Sequence, residues 1–184
     1  MFLFQIRSTP YNPSNPNVEV EAQQKIISKL SEGTIIIAQV YANPVQGFEN
    51  RLLYVAERFD KKSNRITLAG LPYDSTINGV RYSGLAVSKI SLDDITDLKV
   101  LEADETVKVK TRDGETVEGK LYKANFVKDR VFSGKGSIAK LEMELLSGSE
   151  GDMVKHSVEF ADIESIQRKD KGHEKTEMFP AYNI

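Results

Sequence analysis

A lysine flanked by glycines is the first feature of this sequence that could do chemistry. It lies in the run FSGKGS, residues 132–137, and phosphate-binding loops carry a similar Gly-Lys pair. Those loops also need a glycine five residues before the pair, a Ser or Thr directly after the lysine and a helix beyond. Here Asp129 and Gly136 occupy the two positions, and an alternating β pattern follows. The run therefore predicts a hairpin loop and not a nucleotide site.

Three aspartates, Asp93, Asp94 and Asp97, form the second candidate, because clustered carboxylates can transfer protons or hold a divalent cation. Their spacing lacks the alternating ligands of a calcium loop. Asp94 also recurs as Asp162, and each of the two precedes an isoleucine. We therefore interpret the cluster as structural, with Asp94 and Asp162 capping short helical turns.

Nucleophilic and metal chemistry find little support in the sequence. The chain has no cysteine, so it offers no thiolate, disulfide or cysteine-bound metal. Its two histidines, His156 and His173, accompany no nucleophile elbow, zinc-binding helix or triad spacing. The sequence thus predicts no catalytic residue, no metal site and no cofactor, and it favours a non-catalytic protein.

The stretch AGLPYDSTINGVRYSG, residues 69–84, favours binding instead. As a connection it would be 16 residues long, against a usual 2–6 in compact domains. It is rich in the residue types that dominate recognition surfaces. We interpret five of its residues as binding residues: Tyr73, Asp74, Asn78, Arg81 and Tyr82. The alternative is that Val80 to Leu85 forms one strand of a hairpin through Asn78-Gly79, with the tip from Tyr73 to Asn78 still exposed.

A second loop, residues 129–137, adds two cations to the predicted binding residues. These are Arg130, just before the glycine-containing run, and Lys135, within it. Long loops on a rigid scaffold commonly carry binding. We expect function at these two loops and at the boundary between the two structural units that hold them.

Alternation of apolar and polar residues predicts the strands that position the loops. The clearest case is Val107 to Leu121, in which two alternating runs flank the turn pair Asp113-Gly114. Further strands are predicted from β-branched and alternating runs at Ile35 to Tyr41, Arg51 to Phe59, Arg65 to Leu68, Leu85 to Ile90 and Ile138 to Leu146.

The two ends of the chain differ from this β pattern. Phe2 to Arg7 predicts a first strand, and the Pro/Asn-rich residues 8–17 predict a connector. An apolar stripe then recurs every four residues, at Val18, Ala22, Ile26 and Leu30. It predicts an amphipathic helix that docks on the chain's own core, with partner binding as the alternative. Met178 to Ile184 are apolar enough to cover a sheet edge, on this molecule or on a neighbour.

Short matches at one offset indicate an internal repeat. Leu53-Tyr54-Val55-Ala56 matches Leu121-Tyr122-Lys123-Ala124, and Asp94-Ile95 matches Asp162-Ile163, both at an offset of 68. Gly47 and Gly114 fall one residue out of this register, at turns that we take as equivalent. The period exceeds those of common solenoids, so it indicates duplicated units of a small barrel type.

The second half resembles the Sm-like family. The resemblance rests on Asp113-Gly114, on the ending Ile163 to Ile166 and on five further positions: Val107, Val109, Val117, Gly119 and Leu121. It implies a strongly bent, five-stranded barrel, of a kind often assembled into RNA-binding rings. The family's Arg-Gly pair near the last strands is replaced by His156-Ser157. We therefore carry over the fold and none of the RNA-binding residues; other SH3-like barrels share the strand pattern.

Charge and hydropathy restrict the partners. The net charge is −2, and residues 101–167 carry ten basic against fourteen acidic side chains, so neither half has the basic stripe of a nucleic-acid coat. No apolar run approaches the roughly 20 residues of a membrane-spanning helix. The start lacks the basic leader of a secretory signal. We expect a cytoplasmic protein that is not bound to a membrane.

The sequence therefore predicts a mainly β protein of two tandem SH3-like or Sm-like barrels behind one N-terminal helix. We assign residues 1–33 to the N-terminal strand, connector and helix, 34–100 and 101–167 to the barrels, and 168–184 to a charged tail. The predicted function is a non-catalytic interaction module that binds a protein partner or a second copy of itself. Two alternatives stay open: an Sm-like RNA-binding protein, and a small-molecule or nucleotide binder that uses the cleft between the barrels, with Tyr73, Asp74 and Arg81 as polar anchors.

Overall fold

Eleven strands and two 3₁₀ turns make up the part of the chain that this computed structural model describes, residues 30–40, 52–132, 136–169 and 176–181. The predicted N-terminal strand, connector and helix lie outside the described residues, apart from Leu30, as does the turn around Gly47. In chain order the strands are β1 Ile35–Val40, β2 Leu52–Asp60, β3 Arg65–Ile77, β4 Val80–Ser91, β5 Ile95–Leu101, β6 Thr106–Thr111, β7 Thr116–Phe132, β8 Gly136–Ser149, β9 Asp152–Glu159, β10 Ile163–Arg168 and β11 Thr176–Met178.

All pairings between these strands are antiparallel, and together they form one curled sheet. The order is β11-β10-β6-β7-β8-β4-β3-β2-β1-β5, and β9 also pairs with β8. The mainly β prediction is confirmed. Each half has the same internal order, β5-β1-β2-β3-β4 in the first and β10-β6-β7-β8-β9 in the second, and the contact between β4 and β8 joins the halves.

Two hydrophobic clusters lie on the two faces of β1 and β2. Side chains alternate between the faces of a strand, so Ile35 and Ile37 enter one cluster, while Ile36 and Ala38 enter the other. This two-sided burial explains the uninterrupted apolar run of β1, because neither face of the strand meets water. The first cluster also contains the core of the second half, including Met143. The outer face of the first half is thus packed against the interior of the second.

The curl brings the two ends of the sheet together at a line that we call the seam, formed by β5 on one side and β10 and β11 on the other. Lys99 Nζ of β5 lies 2.5 Å from Glu177 Oε1 of β11. Arg168 of β10 donates to the Val100 carbonyl at 3.1 Å and forms a bidentate ion pair with the buried Glu105. Among the described residues, side chains bridge this line, and no backbone ladder crosses it.

The predicted long connection at residues 69–84 is wrong, and the hairpin alternative is correct. β3 and β4 pair continuously to their tip, where Asn78 (φ 52°) and Gly79 (φ 80°) form the connecting turn. Two consecutive positive φ angles match the twist of the flanking strands, which is why Asn-Gly is favoured there. Gly70 (φ 128°) marks a bulge between Ala69 and Leu71, and this break interrupts the alternation that would have revealed the full strand.

The pairing register tests the two sequence matches behind the predicted repeat. Val40 pairs with Ile95, and Thr111 pairs with Ile163, each at the residue that follows a 3₁₀ turn. The turns, Leu92–Asp94 and Phe160–Asp162, agree with the offset of 68. The other match does not fit, because Ala38 pairs with Leu52, and its counterpart Val109 pairs with Val117. This places equivalent residues of β2 and β7 at an offset of 65, so the Leu-Tyr similarity is three residues out of register.

The aspartates of the 3₁₀ turns do not cap them. Asp94 and Asp162 are the last residues of the two turns, and the first turn is capped by the Ser91 hydroxyl, which accepts from the Asp93 N–H at 3.3 Å. In the second turn Glu159 occupies the cap position without a side-chain hydrogen bond. What the two turns share is a buried apolar first residue, Leu92 and Phe160. Within the described ranges, no helix is long and apolar enough to span a membrane.

Candidate functional site

The β3–β4 hairpin carries five of the seven predicted binding residues and separates them onto two faces. Directly opposed residues share a face, and the opposed pairs near the tip include Tyr73 with Gly84 and Ile77 with Val80. Ser75 is opposed to Tyr82. One face therefore presents two tyrosines and two aliphatic residues, and we call it the aromatic face: Tyr73, Ile77, Val80 and Tyr82.

The aromatic face is partly open to solvent. Val80 is 52% exposed, and Tyr73, Ile77 and Tyr82 are half-buried. The face continues, two residues before Tyr73, from the fully buried Leu71, so it extends an apolar surface outward from the core. Asn78 lies beyond it at the exposed turn.

Asp74 and Arg81 lie on the opposite face and bind each other. Arg81 Nε donates to Asp74 Oδ1 and Nη2 donates to Oδ2, both at 2.8 Å, which is a bidentate fork. The hydrogen bond from Arg81 lowers the pKa of Asp74, and the same contact raises the pKa of Arg81. Both side chains are exposed, so water screens the pair and its contribution to stability is small. These two charges thus stand as a neutral pair and not as separate binding charges.

The tip of this hairpin extends beyond its neighbours in the sheet. β2 pairs with β3 only as far as Ala69, and β8 pairs with β4 only at Leu85 and Ala86. From residue 73 to residue 84, the two strands pair with each other and with no third strand of the described chain. The aromatic face is therefore carried on a two-stranded projection.

The structure does not bring the two predicted loops together. Arg130 lies in β7, with its side chain outside the described part, and Lys135 lies outside the described residues. The β7–β8 hairpin and the β3–β4 hairpin each begin their second strand at the tip, and those second strands, β8 and β4, are antiparallel. The two tips consequently point in opposite directions along the sheet. The described ends of β7 and β8, at Phe132 and Gly136, therefore lie on the far side of the β4–β8 contact from the site at 73–82.

A cleft between the two halves has a volume of 750 Å³ and is lined by residues 30–35, 100–103 and 121–124. The polar anchors that we predicted for such a cleft are elsewhere, because Tyr73, Asp74 and Arg81 lie on the hairpin. The charged residues that do line it are Glu32, Glu102 and Lys123.

One pair of side chains has the spacing of a nucleophile and a base. Ser147 Oγ lies 2.8 Å from His156 Nε2, across the contact between β8 and β9. A working triad needs a third group that orients the histidine. No described contact places a carboxylate on the other nitrogen of His156, and the described residues hold no cluster of three potential metal ligands. The contact ties two strands together.

Sequence reasoning missed Arg112, which has the largest set of polar contacts in the described chain. Its guanidinium donates to four backbone carbonyls: Ala161 at 3.2 Å, Ile163 at 3.1 Å, Phe179 at 3.1 Å and Pro180 at 2.6 Å. Two of these lie almost 70 residues away along the chain. No local pattern marks such contacts, although an arginine directly before a predicted Asp-Gly turn was visible in the sequence.

Comparison with known proteins assigns no role to these residues. No protein family, no curated protein and no solved structure matches this chain.

Proposed function

We propose that this protein is an interaction module that binds a protein partner through the aromatic face of the β3–β4 hairpin. The observation that carries the proposal is the projection itself: residues 73–84 extend beyond the sheet with tyrosine and aliphatic side chains on one face. Tyrosine is enriched where one surface must be buried against another and retain hydrogen bonding at its rim. The partner is another protein or a second copy of this chain, and the proposal includes a cytoplasmic location, which suits a cysteine-free sequence.

A protein partner suits the charges better than a nucleic acid does. The cation of the projection at residues 73–84, Arg81, is already paired with Asp74 at 2.8 Å, so it is not free to neutralise a phosphate. The four residues of the aromatic face are uncharged. Burial of an apolar face with tyrosines at its edge is the usual core of a protein–protein contact.

We further propose that the two halves are copies of one five-stranded, SH3-like unit. Three features support this: the identical strand order in the halves, the 3₁₀ turn directly before the last strand of each, and the buried residues Leu92 and Phe160 at its start. If so, the packing of the first unit against the second, and not a separate linker, sets the direction in which the β3–β4 hairpin points relative to the second unit.

Both alternative functions have supporting observations. An Sm-like, RNA-binding role is supported by the same strand order and by the half-buried Tyr73 and Tyr82, since aromatic rings at a surface can stack on bases. It predicts binding to single-stranded RNA that weakens steeply with salt. A small-molecule role is supported by the cleft, because 750 Å³ falls within the usual range of ligand sites. It predicts a ligand-dependent rise in melting temperature.

Site-specific photo-cross-linking tests the favoured proposal. A photoreactive amino acid at Val80 of the full chain is expected to form a discrete adduct with a protein in the native cell extract. The matched control carries the same group at Thr76, which is exposed on the opposite face of the same hairpin. A second variant, Val80→Glu with Tyr82→Ser, is expected to compete at least tenfold less well for that adduct. Equal adducts from positions 76 and 80 would contradict the proposal.

A further inference from the structure

The outer edge of β10 holds a short extended segment, residues 176–180, which we call the C-terminal segment. Its first three residues form β11, and Met178 pairs with Ser165 of β10. The ladder continues one residue further, where the Phe179 N–H donates to the Glu164 carbonyl at 2.9 Å. The sequence-based expectation that Met178 to Ile184 cover a sheet edge is confirmed for Met178 and Phe179, on this same molecule, and the covering strand begins earlier, at Thr176.

Arg112 holds the C-terminal segment by its backbone. The guanidinium only donates hydrogen bonds, from a planar fork of N–H groups, and here two of its four bonds reach the Phe179 and Pro180 carbonyls. The other two bonds anchor the guanidinium to the carbonyls of Ala161 and Ile163. Because carbonyls are common to all residues, these contacts would hold any extended chain laid along this edge.

Two side chains of the C-terminal segment supply the selective contacts. Glu177 is 6% exposed and meets Lys99 of β5 at 2.5 Å, across the seam. Phe179 is also 6% exposed and enters the cluster shared by the two halves. Between them Met178 points away and is 61% exposed. The edge therefore selects an acidic residue followed, two positions later, by an aromatic one.

We propose that the β10 edge, with Lys99 and Arg112, is a strand-addition site for an extended peptide of a partner protein, with an acidic residue two positions before an aromatic one. In this structure the chain's own C-terminal segment occupies the site. The arrangement has the parts of known strand-addition sites, in which ladder bonds give affinity and alternate side chains give specificity. It is a second surface, separate from the hairpin, and does not depend on the function proposed for the hairpin.

The tethered C-terminal segment competes with a free peptide for this site and so lowers the apparent affinity of the peptide. A segment joined by a short connection competes with an effective concentration on the order of millimolar. A free peptide with the same contacts therefore binds the wild-type chain weakly, and weakening the anchors of the tethered segment increases the apparent affinity of the peptide. That increase distinguishes an exchangeable site from a fixed structural edge.

Fluorescence anisotropy with a labelled peptide of residues 174–181, EKTEMFPA, measures this directly on the full chain. In the variant Glu177→Lys with Phe179→Ser, the tethered segment lacks both anchors, and we expect the peptide to bind at least tenfold more tightly than to the wild type. Adding Arg112→Ala should reverse most of this gain. Circular dichroism confirms that each chain is folded, and Glu177→Lys alone, with a smaller expected gain, serves if the double variant is not.

A charge exchange provides the matched control. In a Lys99→Glu chain whose tethered segment carries Glu177→Ser with Phe179→Ser, so that it cannot pair with the new carboxylate, we expect the order of preference to invert, so that a peptide with lysine at position 177 binds more tightly than the natural peptide. Failure of the anchor-free chain to bind the peptide better than the wild type would overturn the proposal. So would light scattering that shows the wild type as a dimer and the anchor-free variant as a monomer, since that result would assign the segment to a second copy. Neither result bears on cross-linking at Val80.

Discussion

Arg168 and Glu105 show what one buried ion pair does in this protein. Their side chains are 13% and 2% exposed, and Arg168 also donates to the Val100 carbonyl across the seam. Glu105 in turn accepts from the Glu102 N–H at 3.0 Å. A buried pair of this kind gains little over apolar residues, but the loss of one partner leaves a charge without compensation.

Glu105→Gln is therefore expected to lower the free energy of unfolding by about 3 kcal/mol, measured by urea denaturation. The double variant Glu105→Gln with Arg168→Met should recover a large part of the loss, because no lone charge remains buried. The control is the exposed pair Lys110–Glu164, where Lys110→Gln should change stability by less than about 1 kcal/mol. A loss of similar size at both sites would contradict the role that we assign to burial.

Substitutions at two glycines with positive φ allow the cost of backbone strain to be measured apart from the cost of a steric clash. A Cβ added at Gly70 would lie 2.5 Å from the Leu53 carbonyl oxygen, whereas one added at Gly79 would meet nothing within 4 Å. Gly79→Ala should destabilise the protein by about 1 kcal/mol, the strain of a left-handed residue alone. Gly70→Ala should lose about 3 kcal/mol or more, because backbone must also move. Equal losses in urea denaturation would show that β2 yields to the added methyl group.

The titration of Asp74 reports on the hairpin pair. The contact with Arg81 lowers the pKa of Asp74 below 3.8, so NMR titration should give a midpoint under that value. An acid whose folded-state pKa is lowered stabilises the fold above its unfolded-state pKa, and this contribution is lost as the pH falls through the folded-state pKa. Arg81→Gln should return the midpoint toward 3.8. An unchanged midpoint in that variant would show that the pair does not persist in solution.

At the scale of elements, the β3–β4 hairpin consists of a buried base and a two-stranded projection. Its base, near Leu68 and Ile90, lies in the second hydrophobic cluster, whereas residues 73–84 pair only with each other among the described strands. Backbone hydrogen bonds with few buried neighbours open locally at little cost in free energy. The projection can thus adapt to a partner while the base stays fixed.

Hydrogen exchange should show this division. We expect the amides of residues 73–84 to exchange at least a hundredfold faster than those of residues 66–69, because local opening of the tip breaks no contact in the core. Mass spectrometry of overlapping peptides measures both in one experiment. Uniform protection along the whole hairpin would mean that a further element covers the tip.

The same hairpin shows how far the sequence could predict the structure. Local signals were sufficient for β1, β2 and the Asp113-Gly114 turn, since alternation and turn chemistry act within a few residues. The outer part of β3 was missed because the bulge at Gly70 shifts the alternation and Pro72 resembles a strand end. Asn78-Gly79 was the correct signal for the turn. The seam and the contacts of Arg112 could not be predicted, because they join residues 49–78 positions apart and depend on how the sheet curls.

At the scale of the whole molecule, the shared cluster makes the two halves one cooperative unit. Ile37 and Leu53 of the first half pack in the same cluster as Met143 and Leu145 of the second half. The second half has its whole buried core in this cluster, whereas the first half also has the second cluster of its own. The similar strand orders therefore do not imply independent stability.

Urea denaturation is expected to show a single transition, with the same midpoint for probes in each half. Ile37→Ala and Met143→Ala should each lower the free energy of unfolding by about 2–4 kcal/mol and shift both probes together. Each residue is fully buried, so the two variants control for one another. Two separable transitions would contradict a common core.

The seam also determines how the molecule should respond to tension. Force applied at the C-terminus pulls β11 away from β10 one backbone bond at a time, a peeling geometry in which the ladder bonds bear the load in sequence. Behind β11, Arg168 of β10 still joins the two ends of the described sheet through the Val100 carbonyl. A chain stretched in optical tweezers should accordingly yield first at low force by release of its last residues. Rupture of the rest should follow at a higher force, so the protein carries a graded mechanical release at its own C-terminus.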